Sequence, residues 1–286
     1  MLFIVGIVVV FGCVIGAYAA HGGHVGVLWQ PLEFVIIFGA ATGAMVIATP
    51  KHLLGKIGAA YGRAFKGAKY TKADFLELLT MQYTIFKLIK TKGMLELEAH
   101  LDNPHDSSLF SRFPVFVNDH HATDFFCDYM RMLTMGAENV HQIEDLMNEE
   151  LDVHHQEQHA VSGTLTTFGE SFPALGIVAA VLGVIHTMGS INQPPEILGH
   201  LIGAALVGTF AGILISYGVM SPLASCVKIL QEGESRYLSC MKAGILASMN
   251  GYAPAISVEF ARKSIETDFR PSFAEMEEAI QNLPGA

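Results

Sequence analysis

Residues 201–220 read LIGAALVGTFAGILISYGVM, a run without a single Asp, Glu, Lys or Arg. A helix needs about 20 apolar residues to cross roughly 30 Å of hydrocarbon. The run therefore predicts a membrane span. Residues 2–20, 34–49 and 172–188 have the same character. The stretch at 34–49 is short, which predicts continuation into residues 51–54 or little tilt. All 17 Lys and Arg residues lie in two blocks, 51–168 and 223–286. The connectors joining the first two spans and the last two carry none. Basic residues collect in cytoplasmic loops. The expected topology is four transmembrane helices with both termini cytoplasmic. It divides the chain into spans one and two at 1–50, a helical cytoplasmic domain at 51–168, spans three and four at 169–222, and a helical cytoplasmic tail at 223–286.

Composition agrees. Hydrophobic residues make up 51% of the 286 positions and charged residues only 15%, with mean hydropathy +0.40, above that of an ordinary soluble domain. Glu33 and Glu196 are the only acids in the outer connectors, so the net charge of −10 belongs to the cytoplasmic parts. An acidic domain without a basic patch does not suit nucleic acid. Cys13, Cys127, Cys226 and Cys240 form no C-x-x-C pair, and a membrane-embedded or cytoplasmic setting predicts no disulfide. Ala17-Tyr18-Ala19 resembles a signal cleavage site. No basic residue precedes the apolar run, as a signal peptide would require, so the segment is read as the first helix.

The large loop reads as helical. Thr71-Lys72-Ala73-Asp74 is a capping signal, followed by Phe75, Leu79, Phe86 and Leu97 at helical spacing until Asp102-Asn103-Pro104. Ala122, Phe125, Phe126, Met130 and Leu133 mark a second helix ending near Gly136. Val140, Ile143, Leu146, Met147 and Leu151 mark a third. In the tail, Val227, Leu230, Tyr237, Met241 and Ile245 continue a helix from the fourth span, and Ser272-Phe273-Ala274-Glu275 is a capping box. Strand alternation is lacking, so the fold class is all-α.

The spans so bounded contain no acid or base except His186. Intramembrane ionisable groups mark ion pathways. A chain of this kind either borrows its ion-carrying carboxylate from a partner helix or is a scaffold that moves nothing. His186, near the outer end of span three, reads as a polar residue satisfied at the interface. His155 and His159 lie one helical turn apart and His120-His121 are adjacent. The intervening acid is misplaced for a zinc helix motif, so these read as a solvated face with no metal and no cofactor. Gly12/Gly16, Gly39/Gly43 and Gly208/Gly212 have the spacing that lets helices approach closely in lipid. Pro173 and Pro222 flank spans three and four at the cytoplasmic boundary. Proline kinks a helix that continues through it, so the pair forms either a hinge or two helix ends. Lys87, Lys90 and Glu98 are expected on one helix, with Lys87 and Glu98 on a shared stripe and Lys90 offset by about 60°. Such mixed faces mostly solvate a helix. No loop or span offers an enzyme site.

The chain resembles the MotA family of flagellar motor stator subunits, within the MotA/TolQ/ExbB proton channel superfamily, over nearly its whole length. The resemblance rests on Tyr70-Thr71-Lys72-Ala73, Gly93-Met94, Asn103-Pro104, Pro173-Ala174-Leu175-Gly176-Ile177-Val178-Ala179-Ala180-Val181, Val207-Gly208-Thr209-Phe210, Ser221-Pro222-Leu223-Ala224, Asn250-Gly251-Tyr252-Ala253-Pro254, Val258-Glu259-Phe260 and Arg270-Pro271-Ser272-Phe273.

That resemblance implies a ring of such chains, as a pentamer, around the single helices of MotB in the bacterial inner membrane. MotB would supply the proton-carrying Asp and the rotor protein FliG would receive the torque. Pro173 and Pro222 match the family's proton-coupling prolines. Ala180 and Thr209 match pore-facing positions. Lys90 and Glu98 match rotor-facing charges, with Lys90 standing where close relatives carry Arg, whose bidentate fork is thereby lost. Sodium-driven relatives tend to carry a hydroxyl where this chain has Ala180, so Ala180 implies protons. The rival readings are a TolQ/ExbB-type energiser of the cell envelope, which usually has three spans, a sodium-driven stator subunit, and a non-conducting scaffold.

Overall fold

A computed structural model of the protein describes residues 2–283 and is all-α, with no strand among them. In chain order the helices are α1 (Leu2–Ala20), α2 (Pro31–Ala48), α3 (Lys51–Lys66), α4 (Lys72–Lys92), α5 (Leu95–Asp102), α6 (Pro114–Val117), α7 (His120–Thr134), α8 (Val140–Met188), α9 (Pro195–Ile215), α10 (Ser221–Met249), α11 (Pro254–Lys263) and α12 (Phe273–Gln281). A π-helical turn, Ser216–Met220, joins α9 to α10 without a break. Four helical segments are long and apolar enough to cross a membrane: Phe3–Ala20, Val25–Ala48, Val140–Met188 and Pro195–Met249. The chain forms two compact units, Met1–Gly67 with Glu157–Leu230, and Ala68–Gln156 with Gln231–Ala286.

The first unit holds the apolar spans. Pro31 opens α2 at its first position, where the missing N–H costs nothing. Thr49-Pro50 ends it. The expected continuation of this span into residues 51–54 is not found, because Pro50 restarts the chain as a separate helix. This α3 is amphipathic. It buries Ile57, Ala60 and Ala64 against Val161, Leu165, Leu223, Ala224 and Val227, and Lys56 pairs with Glu157 at 2.6 Å. Between the spans the buried set is Ile37, Ala41, Phe172, Ala179 and Ala211. Large apolar side chains such as Val35, Ile47 and Leu206 face outward. In a lipid solvent that outward face is the expected one.

The second unit has a large aromatic core. Phe75, Phe86, Phe110, Phe116, Phe125 and Phe126 are all buried, and Tyr70 stacks on Tyr237 at 3.8 Å between centroids. Both expected capping boxes are formed. Thr71 N–H donates to Asp74 Oδ2 at 2.7 Å, and Ser272 N–H to Glu275 Oε2 at 2.6 Å. Lys72 also pairs with Glu275 at 2.8 Å. Led by the Lys72 hydrogen bond, these contacts hold the Glu275 carboxyl down at about 2. Asp119 caps α7 and accepts from Lys69 and from the Tyr70 hydroxyl. Burial alone would raise its carboxyl; the Lys69 and Tyr70 bonds outweigh that and hold it below the ordinary value. Glu77 accepts the N–H groups of Val115 and Phe116 at 2.8 and 3.1 Å, seating the start of α6. Arg262, nearly buried, binds Glu259 and the Pro271 carbonyl, which ties the C-terminal segment to α11.

The single helix expected from Thr71 to Asp102 is instead two. Gly93 adopts φ +89°, a left-handed value that ends α4 and that a residue with a Cβ avoids. Lys90 therefore lies in the last turn of α4 and Glu98 in the first turn of α5. The expected common stripe with Lys87 does not exist. Lys92 and Glu96 pair across the break at 3.3 Å.

Candidate ion-coupling site

Spans three and four touch through their backbones. A Cβ placed on Gly212 would lie 2.5 Å from the Phe172 carbonyl oxygen and 3.1 Å from Gly176 Cα. One placed on Gly176 would lie 2.8 Å from the Gly208 carbonyl oxygen and 3.3 Å from Thr209 Cα. The Gly208/Gly212 spacing thus serves contact between α9 and α8 of the same chain. At Gly12, Gly16, Gly39 and Gly43, nothing among the described residues comes within 4 Å of such a Cβ.

This close approach brings the two prolines into one hydrogen-bonded arrangement. Pro173 sits inside α8 and has no N–H, so the Gly169 carbonyl four residues earlier loses its helical donor. The buried Ser216 hydroxyl supplies one instead, donating to Gly169 O at 2.8 Å. Ser216 opens the π turn, in which the Ser221 N–H reaches five residues back to the Ser216 carbonyl. Pro222 follows directly. A Cβ at Gly169 would meet Met220 Cβ at 3.1 Å, so the end of the π turn lies against α8 just before Pro173. Both helices continue through their prolines, and neither proline terminates its helix.

Ala180 and Thr209 are both half-buried on this seam. The Thr209 hydroxyl donates to the Gly176 carbonyl at 3.3 Å, and Ala180 N lies 3.4 Å from the Cβ position of Gly208. Pro173, Pro222, Ala180 and Thr209 are therefore brought onto one pair of helices. Lys90 and Glu98 belong to the second unit and are exposed there. His186 is exposed, while its neighbour Thr187 is buried and bonds back to the Gly183 carbonyl at 2.8 Å. His121 and His154 meet at 2.9 Å. No group of three or more metal-ligating side chains occurs among the described residues.

Sequence reasoning missed two residues here. Ser216 gave no signal, since nothing in composition announces a π turn. Glu33 was placed in the outer connector, but α2 begins at Pro31 and takes Glu33 into its first turn. Its carboxylate lies beside Gly208 and Gly183.

Residues 4–93 match the family described as Motility protein A N-terminal, and residues 118–240 match the MotA/TolQ/ExbB proton channel family. The chain is 41% identical over 281 residues to Motility protein A of Escherichia coli (strain K12), a match covering 98% of this chain and 95% of that one. The structure of the flagellar MotAB stator complex from Bacillus subtilis superposes with TM-score 0.76 at 26% identity, covering 96% of this chain and 100% of the other. The C. jejuni MotAB structure gives TM-score 0.77 at 19% identity, covering 95% and 98%, and supports the same fold. With four membrane-spanning segments and this similarity along its length, the chain is a multi-pass membrane protein that belongs to the motility protein A family of the MotA/TolQ/ExbB proton channel group.

Proposed function

We propose that this chain is the ring-forming subunit of a flagellar motor stator in the bacterial inner membrane, with both termini cytoplasmic. In this reading a pentamer of chains surrounds a MotB-type partner that carries the proton on an Asp. Residues 51–168 and 223–286 are cytoplasmic, and 1–50 and 169–222 hold the spans. Ala180 and Thr209 line the path. Pro173 and Pro222 form the coupling hinge, and Lys90 and Glu98 face FliG. The observation that supports the reading is the Ser216–Gly169 hydrogen bond, which ties the π turn before Pro222 to the stretch of α8 before Pro173.

Magnitudes support it. One charge moved through the membrane potential delivers about 2.3 kcal/mol per 100 mV. A neutral hydrogen bond is worth roughly 0.5–1.5 kcal/mol net. A single proton therefore carries enough free energy to break such a contact. Ala180 offers no oxygen to replace the water stripped from Na⁺, which favours protons.

The test is proton flux. Expressed with a MotB-type partner whose plug is removed, the chain should acidify the cytoplasm; expressed alone it should not. Flux from the chain alone would overturn the borrowed carboxylate, and no flux from the pair would overturn the channel reading.

A further inference from the structure

Glu33 is an unexplained carboxylate within an apolar helix. It stands at the third position of α2, where an acid usually caps the helix by accepting its first N–H groups. Its Oε2 does not do so here, and the N-cap Gln30 makes no side-chain cap either. The side chain turns toward the neighbouring spans. Oε2 is shielded from solvent and has no hydrogen-bond partner.

Two glycines make its seat. A Cβ on Gly208 would lie 2.8 Å from Glu33 Oε2, and one on Gly183 would lie 3.5 Å from Glu33 Oε1. Larger residues at either position would displace the carboxylate. The same Gly208 Cβ position lies 3.0 Å from Ala179 Cβ and 3.4 Å from Ala180 N. The carboxylate thus lies directly behind the stretch that carries Ala180 and Thr209. The other acids and histidines toward the outer ends of the surrounding elements are His186 on α8, Glu196 and His200 on α9, and His21 and His24 in the first connector. None bonds to Glu33 among the described residues. With Oε2 shielded and without a donor, the ionised form is poorly compensated, and a proton is the smallest species that neutralises it.

We propose that Glu33 is a proton-holding site on the outer side of the ion path. It accepts a proton from hydronium, R–COO⁻ + H₃O⁺ giving R–COOH + H₂O, and holds it behind the Ala180/Thr209 wall. The proposal rests on the proton-path reading above for its direction, but the protonation itself is measurable without flux.

Two measurements on the full chain with its MotB-type partner test it. Infrared difference spectra of the complex in lipid nanodiscs should show a protonated-carboxyl band that grows as pH is lowered. Glu33→Gln should remove one component of that band, leaving that of the partner's Asp, and Glu33→Asp, which draws the carboxyl back from the glycine seat, should shift the same component. No Glu33-dependent band overturns the proposal whether or not the complex conducts. In the flux assay, a positioned proton acceptor is typically worth ~10²-fold or more. Glu33→Gln should therefore slow proton entry by at least about tenfold near neutral external pH and by less in acid, with Glu33→Asp intermediate. If Glu33→Gln does not accumulate, the Glu33→Asp band and rate decide alone, a wild-type result in both overturning the site. Wild-type conduction with an unchanged pH profile in Glu33→Gln reduces Glu33 to a solvated helix-end residue. Absence of flux in the unmutated pair would instead sink the channel reading and leave the infrared result to stand by itself.

Discussion

The seam between α8 and α9 and the core of the second unit are held together in opposite ways. The seam is made of what is missing: Gly176, Gly208 and Gly212 remove side chains so that backbones meet. The core is made of bulk, with Phe116, Phe125, Phe126 and Tyr237 almost wholly buried. The solvents explain the difference. In water, burial of apolar surface drives packing at roughly 25 cal/mol per Å², so large aromatics stabilise a domain most. In lipid that drive is absent between helices, and close backbone contact and hydrogen bonds take over. The core rewards volume and tolerates no cavity. The seam rewards smallness and tolerates no added carbon. The two regions are distinguished by which error harms them.

Substitutions can break this contrast. The largest effect expected is in the core: Phe126→Ala should cost about 3–5 kcal/mol and be read as lower thermal stability and lower abundance. Stability within roughly 1 kcal/mol of wild type would show that the core is not close-packed. Next is Gly212→Ala, which adds one carbon 2.5 Å from the Phe172 carbonyl. Overpacking of this kind costs about 1–3 kcal/mol, so the detergent-solubilised protein should melt lower and motility should be lost. A benign Gly212→Ala would mean that the helices separate freely.

The third test sharpens the account of the prolines. Ser216→Ala leaves the Gly169 carbonyl without a donor and should cost about 1–3 kcal/mol. Pro173→Ala restores an N–H for the same carbonyl. Serine 216 should therefore matter less in the Pro173→Ala background, and a double-mutant cycle on thermal stability measures the difference. Additive effects would show that the Ser216 bond does not compensate for the proline. The smallest effect is expected at the exposed charges of the second unit. Exposed charges are worth ~0–1 kcal/mol each, so Lys90→Glu or Glu98→Lys should leave stability unchanged and weaken swimming only partly, and the double reversal should weaken it further. Normal swimming of the double reversal against an unmodified rotor would make this face purely solvating.

Much of the fold was legible because it follows from solvent and termini. Run length and the placement of Lys and Arg marked the four apolar segments. Thr71 and Ser272 announced their helices because a capping box is local chemistry. The break at Gly93 was not legible, since one glycine inside a periodic run costs only about 1 kcal/mol and usually stays helical. Residues 51–54 read as an extension of the span because the run at 34–49 is short for a membrane crossing, whereas the buried face of α3 is visible only with its partners in place. Pro173 and Pro222 were legible as either a hinge or two helix ends, and the helices continue through both. The hydroxyl that reconciles them was not, because Ser216 and Gly169 stand 47 positions apart in the chain. Glu33 is the same kind of case: its direction is set by two glycines on other helices.

The π turn at Ser216–Met220 has a further geometric meaning. A helical turn closed at i→i+5 contains one residue more than its neighbours. Each residue of an α-helix stands for about 100° of rotation and 1.5 Å of rise. If that surplus residue were absorbed into regular α-helix, the start of α10 would turn by a fixed angle about its own axis. Continuous bending would not produce that displacement. The junction between the fourth span and the helix that leaves it is thus indexed, like the tooth of a ratchet wheel, with a pitch set by the peptide backbone itself.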